Sequence, residues 1–134
     1  MRNTSVSKID ISNTNFESNY FDKIILDFNF LGNISKSQRE KSLEEIRRIL
    51  KPKGKILGSV YSEKSLEQQV RLYENLGFNI FSFNKNYVSY KVGRSIFKIK
   101  RFEKTEIKNL LEKFFKNVKL FNLTKFVYFF IGKK

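Results

Sequence analysis

An α/β fold built on a parallel sheet and closed by an antiparallel hairpin is what this 134-residue sequence predicts. Three observations predict it. A dense apolar run, Phe21 to Phe30, has the look of a strand buried on both faces. Strand and helix patterns then alternate, which is the signature of parallel pairing. From Asn79 the apolar period shifts to two, the mark of antiparallel strands. The length suits one domain, residues 1–134, with a modest core.

The elements follow in order. Val6 to Ile11 (VSKIDI) alternates as a short strand, and a polar stretch, Ser12 to Asn19, leads to the Phe21–Phe30 strand. Ser37 stands three residues before Glu40, the spacing of a capping box. Leu43, Ile46 and Leu50 then recur at helical intervals until Lys51-Pro52-Lys53-Gly54 imposes a turn. Lys55 to Tyr61 is the next strand. Ser65 opens a second helix with Leu66, Val70, Tyr73 and Leu76 on one face and Gly77 as its cap. The segments around Ile80–Phe83, Tyr87–Val92 and Ile96–Ile99 form a meander, with turns at Asn84-Lys85-Asn86 and Gly93-Arg94. A third helix covers Lys104 to Lys116, and a final hairpin joins Asn117–Asn122 to Lys125–Ile131.

Composition narrows the chemistry. There is neither cysteine nor histidine, which excludes disulfides, thiolate metal sites, cysteine nucleophiles and imidazole bases. No metal site is expected. No apolar run reaches the ~18 residues that cross a bilayer, and Met1 to Ile11 has no apolar signal-peptide centre, so a soluble cytoplasmic protein is expected. The net charge of +14 is uneven: residues 93–134 hold 12 basic and 3 acidic side chains. That excess favours a polyanionic partner, nucleic acid first. Arg94, Lys98, Lys100 and Arg101 alternate with Ile96, Phe97 and Ile99, so one strand face presents basic groups to phosphates or simply to solvent.

Tyr20-Phe21-Asp22 leading into a buried strand, Leu31-Gly32 after it, and the run Leu43 to Leu57 (LEEIRRILKPKGKIL) resemble the class I S-adenosylmethionine-dependent methyltransferases. The order matches that family's strand four, helix, Pro-Gly turn and strand five. Phe102, the helix Ile107–Phe115 and the closing hairpin resemble its last helix and strands six and seven. The resemblance covers about residues 8 to 131 and implies a partial Rossmann-like methyltransferase sheet. Lys53 departs from it, standing where the family has the first of two glycines.

The family's Gly-rich cofactor turn has no counterpart here, because no glycine precedes Gly32. The resemblance thus implies that strands one and two are missing and the chain begins near strand three. It also implies that Asp10, with Ile11, lies near the adenine amino group, and that Asp27-Phe28-Asn29 lines the centre near the transferable methyl. Read alone, an Asp after a strand is a turn or cap residue, and Phe28 and Phe30 read as core.

In the family's strand order, 3-2-1-4-5-7-6, the absent strands are central, so strand four would expose an apolar flank. Val6–Ile11, a second copy of the chain, or a separate partner chain would have to cover it. The expected function is that of a methyltransferase-like protein that binds S-adenosylmethionine once its pocket is completed. The alternative is a noncatalytic basic protein that binds nucleic acid or serves as an accessory subunit.

Overall fold

The computed structural model describes residues 3–134. A four-stranded sheet, in the order β1-β2-β7-β6, carries the main core. β1 (Phe21–Leu26) runs parallel to β2 (Leu50–Tyr61), and β7 (Val127–Lys133) lies antiparallel to both β2 and β6 (Lys116–Thr124). This is the 4-5-7-6 half of the order the resemblance implies. A separate meander contains β3 (Asn79–Phe83), β4 (Tyr87–Val92) and β5 (Ser95–Lys100).

α2 (Lys36–Ile49) connects β1 to β2 and drives Leu43, Ile46 and Ile49 inward, one helical turn apart. α4 (Lys104–Glu112) brings Ile107 and Leu111 to the same core, where they meet Ile56, Val60, Phe102 and Phe130. α3 (Leu66–Asn75) covers a smaller cluster of Tyr73, Val88 and Ile99 against the meander. Gly77, at φ +76°, ends α3 as expected.

Several expectations change. Val6–Ile11 is not a strand: residues 3–10 are exposed and irregular, and Asp10 folds the chain into a turn instead. It therefore does not cover β1. The predicted doubly buried strand is shorter and lies at an edge, with Asp22, Lys23 and Ile25 exposed. Its apolar sequence looked central because it cannot show whether a neighbour is present. The capping box is Ser35 with Gln38, not Ser37 with Glu40; the Ser35 side chain accepts from the Gln38 N–H, and the Gln38 side chain accepts from the Ser35 N–H. The Lys51–Gly54 turn is a bulge within β2, since Phe21 pairs with Leu50 while Lys23 pairs with Lys55. Lys53 there has φ +65°, the left-handed conformation that glycine adopts freely. Lysine at this position accepts the steric cost of that conformation.

Glu45 ties the N-terminal segment to α2. Its carboxylate accepts from the Thr14 N–H at 3.1 Å and hydroxyl at 2.7 Å, and pairs with Arg48 at 2.7 Å. Arg48 in turn reaches the Phe16 carbonyl and Ser18. The Arg48 hydrogen bond, helped by Thr14, holds the Glu45 pKa down at about 2, from an ordinary 4.5. A depressed carboxylate stabilises the fold above its unfolded pKa, and that contribution is lost as pH falls through the folded value. Amide exchange at residues 14–18 should therefore accelerate as pH is lowered from about 4.5 to about 2, after correction for intrinsic rates. Glu45→Gln should remove that pH dependence.

Candidate functional site

β1 ends at Leu26, and Asp27-Phe28-Asn29 turns the chain into α1, a single turn spanning Phe30–Asn33. The turn is strained. Phe28 and Asn29 both have left-handed backbones, φ +51° and +56°. Asn tolerates this conformation; for a bulky residue such as Phe it costs roughly 1–2 kcal/mol.

Asn29 holds the strain in place. It is buried, its amide nitrogen donates to the Lys100 carbonyl at 3.3 Å, and its amide oxygen accepts from the Tyr61 N–H at 3.0 Å. One side chain thereby pins the end of β1 to the ends of β2 and β5. Gly32 leaves the room for it, since a Cβ there would lie 2.6 Å from Asn29 Oδ1. The result is a Phe28 ring 82% exposed at the apex of a rigid turn. Strain that holds an aromatic ring in water has no packing benefit to explain it, and such strain clusters at ligand sites.

A shallow pocket of about 190 Å³ lies where the chain continues past this turn, lined by Asp10, Ile11, Phe30, Ile34 and Gln38. The exposed Asp10 carboxylate accepts from the Ser12 hydroxyl at 2.7 Å and N–H at 2.9 Å through the same oxygen. Those bonds, the hydroxyl first, hold its pKa below the usual carboxylate value. Its other oxygen has no hydrogen-bond partner among the described residues. Asp10 is thus a turn residue, as its sequence context suggests, and also the acidic rim of a pocket. Ile11 and Phe30 pack on the main core and form the apolar wall.

The chemistry of these residues is compatible with the adenosyl end of S-adenosylmethionine: the Phe30 ring and Ile11 give an apolar wall, and an ionised carboxylate can accept from an exocyclic amine. They do not match the methionine end, because no glycine turn precedes Gly32. Asp27 is exposed, its carboxylate accepting from the Phe28 N–H at 2.8 Å. The core reading therefore holds for Phe30, which packs on the main core, and fails for Phe28. Phe30 was expected inside the strand, and Ile34 had no sequence signal beyond its place after Leu31-Gly32-Asn33.

The basic quartet divides in two. Arg94 and Lys98 are exposed, with Lys98 Nζ 4.4 Å from the centre of the Tyr87 ring. Lys100 and Arg101 are buried and do not face a phosphate backbone. Strand alternation breaks at the end of β5, where Arg101 turns inward to satisfy the β3–β4 turn and Lys100 enters a cleft with Glu106. Among the described residues no cluster of acidic side chains could hold a metal ion, and no helix is long and apolar enough to cross a membrane.

Residues 2–58 match the family model described as a methyltransferase domain. No curated protein matches the chain in sequence. Solved structures match it closely in shape. The PH0226 protein from Pyrococcus horikoshii superposes with a TM-score of 0.70 at 17% identity, over 92% of this chain and 59% of its own. A SAM-dependent methyltransferase from Methanosarcina mazei gives 0.68 at 18%, over 92% and 64%. A 1,6-didemethyltoxoflavin-N1-methyltransferase from Burkholderia thailandensis, with S-adenosylhomocysteine bound, gives 0.61 at 16%, over 92% and 48%. The chain spans about half to two thirds of the length of these structures. It has the Rossmann-like fold of the S-adenosylmethionine-dependent methyltransferases and carries their domain pattern over residues 2–58.

Proposed function

We propose that this chain is the adenosyl-side and acceptor-side part of an S-adenosylmethionine-dependent methyltransferase, with the methionine end of the pocket supplied by a further segment or partner along the open edge of β1. The observation that carries this reading is Phe28, held exposed in a left-handed backbone at the carboxyl end of a parallel strand, two residues before the Phe30 that lines the Asp10 pocket. Ligands of open α/β sheets bind at those ends. β1 is an edge strand with β2 as its one neighbour among the described residues, and its open edge suits a covering strand. Methyl transfer from a sulfonium depends mainly on positioning the acceptor, so the lack of histidine and cysteine is compatible with it.

Calorimetric titration with S-adenosylmethionine and S-adenosylhomocysteine tests the reading. Half a cradle should bind in the micromolar to millimolar range. Asp10→Ala and Phe28→Gly should each weaken binding about tenfold, on the order of 1.4 kcal/mol. Phe28→Gly should also raise thermal stability, because about 1 kcal/mol of left-handed strain is relieved and little burial is lost. A wild-type chain that binds neither nucleoside, or variants that bind like the wild type, would sink the proposal.

A further inference from the structure

Between α2 and α4 lies a cleft of about 310 Å³, distinct from the Asp10 pocket. Arg39 forms part of its wall. It occupies the apolar stripe of α2, three residues before Ser42 and four before Leu43, and is 6% exposed. Its Nε donates to the Leu31 carbonyl at 2.6 Å, and its guanidinium lies 5.4 Å from the Phe102 ring centre.

Its two terminal amino groups have no hydrogen-bond partner and no carboxylate within reach among the described residues. No fully enclosed side-chain nitrogen among those residues lacks a partner, so these groups open onto the cleft. Lys100 reinforces the charge. Its side chain is 7% exposed, with Nζ 5.0 Å from the ring centres of both Tyr87 and Phe102 and 2.8 Å from Glu106. Lys113 pairs with Glu40 at the rim, at 3.3 Å. Four cations, Lys36 included, face two carboxylates around the cleft.

The Leu31 carbonyl satisfies Nε and the Phe102 ring covers one face of the guanidinium, which leaves the two terminal amino groups at the cleft without a protein partner among the described residues. An oxyanion suits these groups: a carboxylate or phosphate accepts from both terminal amino groups at once, in the planar fork that arginine presents. The cleft is at the small end of the ligand-pocket range of ~300–1,000 Å³, and Tyr87, Leu110 and Phe102 provide apolar lining for a compact body. We propose that this cleft binds the oxyanion of a small organic acid or phosphate ester, with Arg39 holding two of its oxygens and Lys100 a neighbour of them. Glu106 occupies Lys100 in the absence of ligand and competes with it. The cleft touches the carboxyl end of β1 through Leu31 and through the Lys100 carbonyl that Asn29 clamps. The inference stands apart from methyl transfer, because anion binding needs neither the nucleoside nor a second chain.

The full chain should be titrated with phenyl phosphate, benzoate and benzyl alcohol, the last an uncharged control. One or both anions should bind and the alcohol should not; the preferred anion identifies the ligand as phosphate ester or carboxylate. Arg39→Gln should weaken anion binding about tenfold or more. Arg39→Gln also removes a buried hydrogen bond, so a second variant is needed. Glu106→Gln changes a half-exposed residue on α4 and should tighten binding several-fold by releasing Lys100. A purely structural Arg39 would not produce these opposite effects. Equal binding of the alcohol, or phenyl phosphate and benzoate affinities unmoved by both variants, overturns the proposal. So does anion binding lost only with Arg94→Ala and Lys98→Ala and reproduced by any oligonucleotide, which would make the surface a nonspecific phosphate contact.

Discussion

Arg101→Ala should destabilise the protein by about 3–5 kcal/mol, read as a fall in the urea midpoint. Arg101 is fully buried, and among the described residues its guanidinium bonds only carbonyl and amide oxygens. Its Nη1 donates to Gln69 Oε1 at 2.7 Å, its Nε to the Lys85 carbonyl at 3.2 Å, and its Nη2 to the carbonyls of Asn84 and Tyr87. Gln69 then bonds the Tyr73 hydroxyl. One side chain thus joins the β3–β4 turn to α3. Burial pulls the Arg101 pKa below its ordinary value, with Tyr73 opposing weakly. Truncation leaves several acceptors unsatisfied as well as a cavity, and the penalty of an unpaired buried polar group exceeds the net worth of the bond it once made. Lys at 101 should rescue little, because a single ammonium cannot reproduce the fork. Arg94→Ala, on the exposed turn of the same meander, should stay within about 0.5 kcal/mol. Equal losses at the two positions would refute the account.

Gly32→Ala should cost about 3 kcal/mol and should also loosen the Asp27–Asn29 turn. An added methyl group would press on Asn29 Nδ2 and the Lys100 carbonyl oxygen and lie 2.6 Å from Asn29 Oδ1. The carbonyl belongs to the end of β5 and cannot swing aside, so Asn29 would have to leave and abandon the Tyr61 N–H and the Lys100 carbonyl inside the protein. Gly77→Ala is the control. Its φ of +76° makes alanine strained, but no atom lies within 4 Å of the new methyl, so the loss should be about 1 kcal/mol. Thermal denaturation of the two variants ranks them, and a Gly32 loss no greater than that at Gly77 would remove Asn29 as the clamp.

Much of the fold was legible. Leu43, Ile46 and Leu50 repeat at helical spacing, and the meander and closing hairpin alternate at period two, because burial on one side of an element leaves its period in the sequence. The site was only half legible. Asp10 and Asp27-Phe28-Asn29 were marked by the resemblance, but their conformations were not: no local pattern signals that Phe28 would be left-handed and exposed while its neighbour is sealed. Arg39 did leave a trace, a charged residue on the apolar stripe of α2, and it is meaningful only beside Phe102, 63 positions away.

By itself the amino-acid sequence determined the alternation of strands and helices, the absence of thiol and imidazole chemistry, and the excess of positive charge, since these follow from local period and composition. Tertiary structure decided which of those charges meet water. Lys98 and Lys100 are two residues apart on one strand face, yet one is exposed and the other buried against Glu106, because α4 reaches only the end of β5. Burial is set by what packs from elsewhere in the chain, and that is a property of contacts between distant residues rather than of neighbours in sequence.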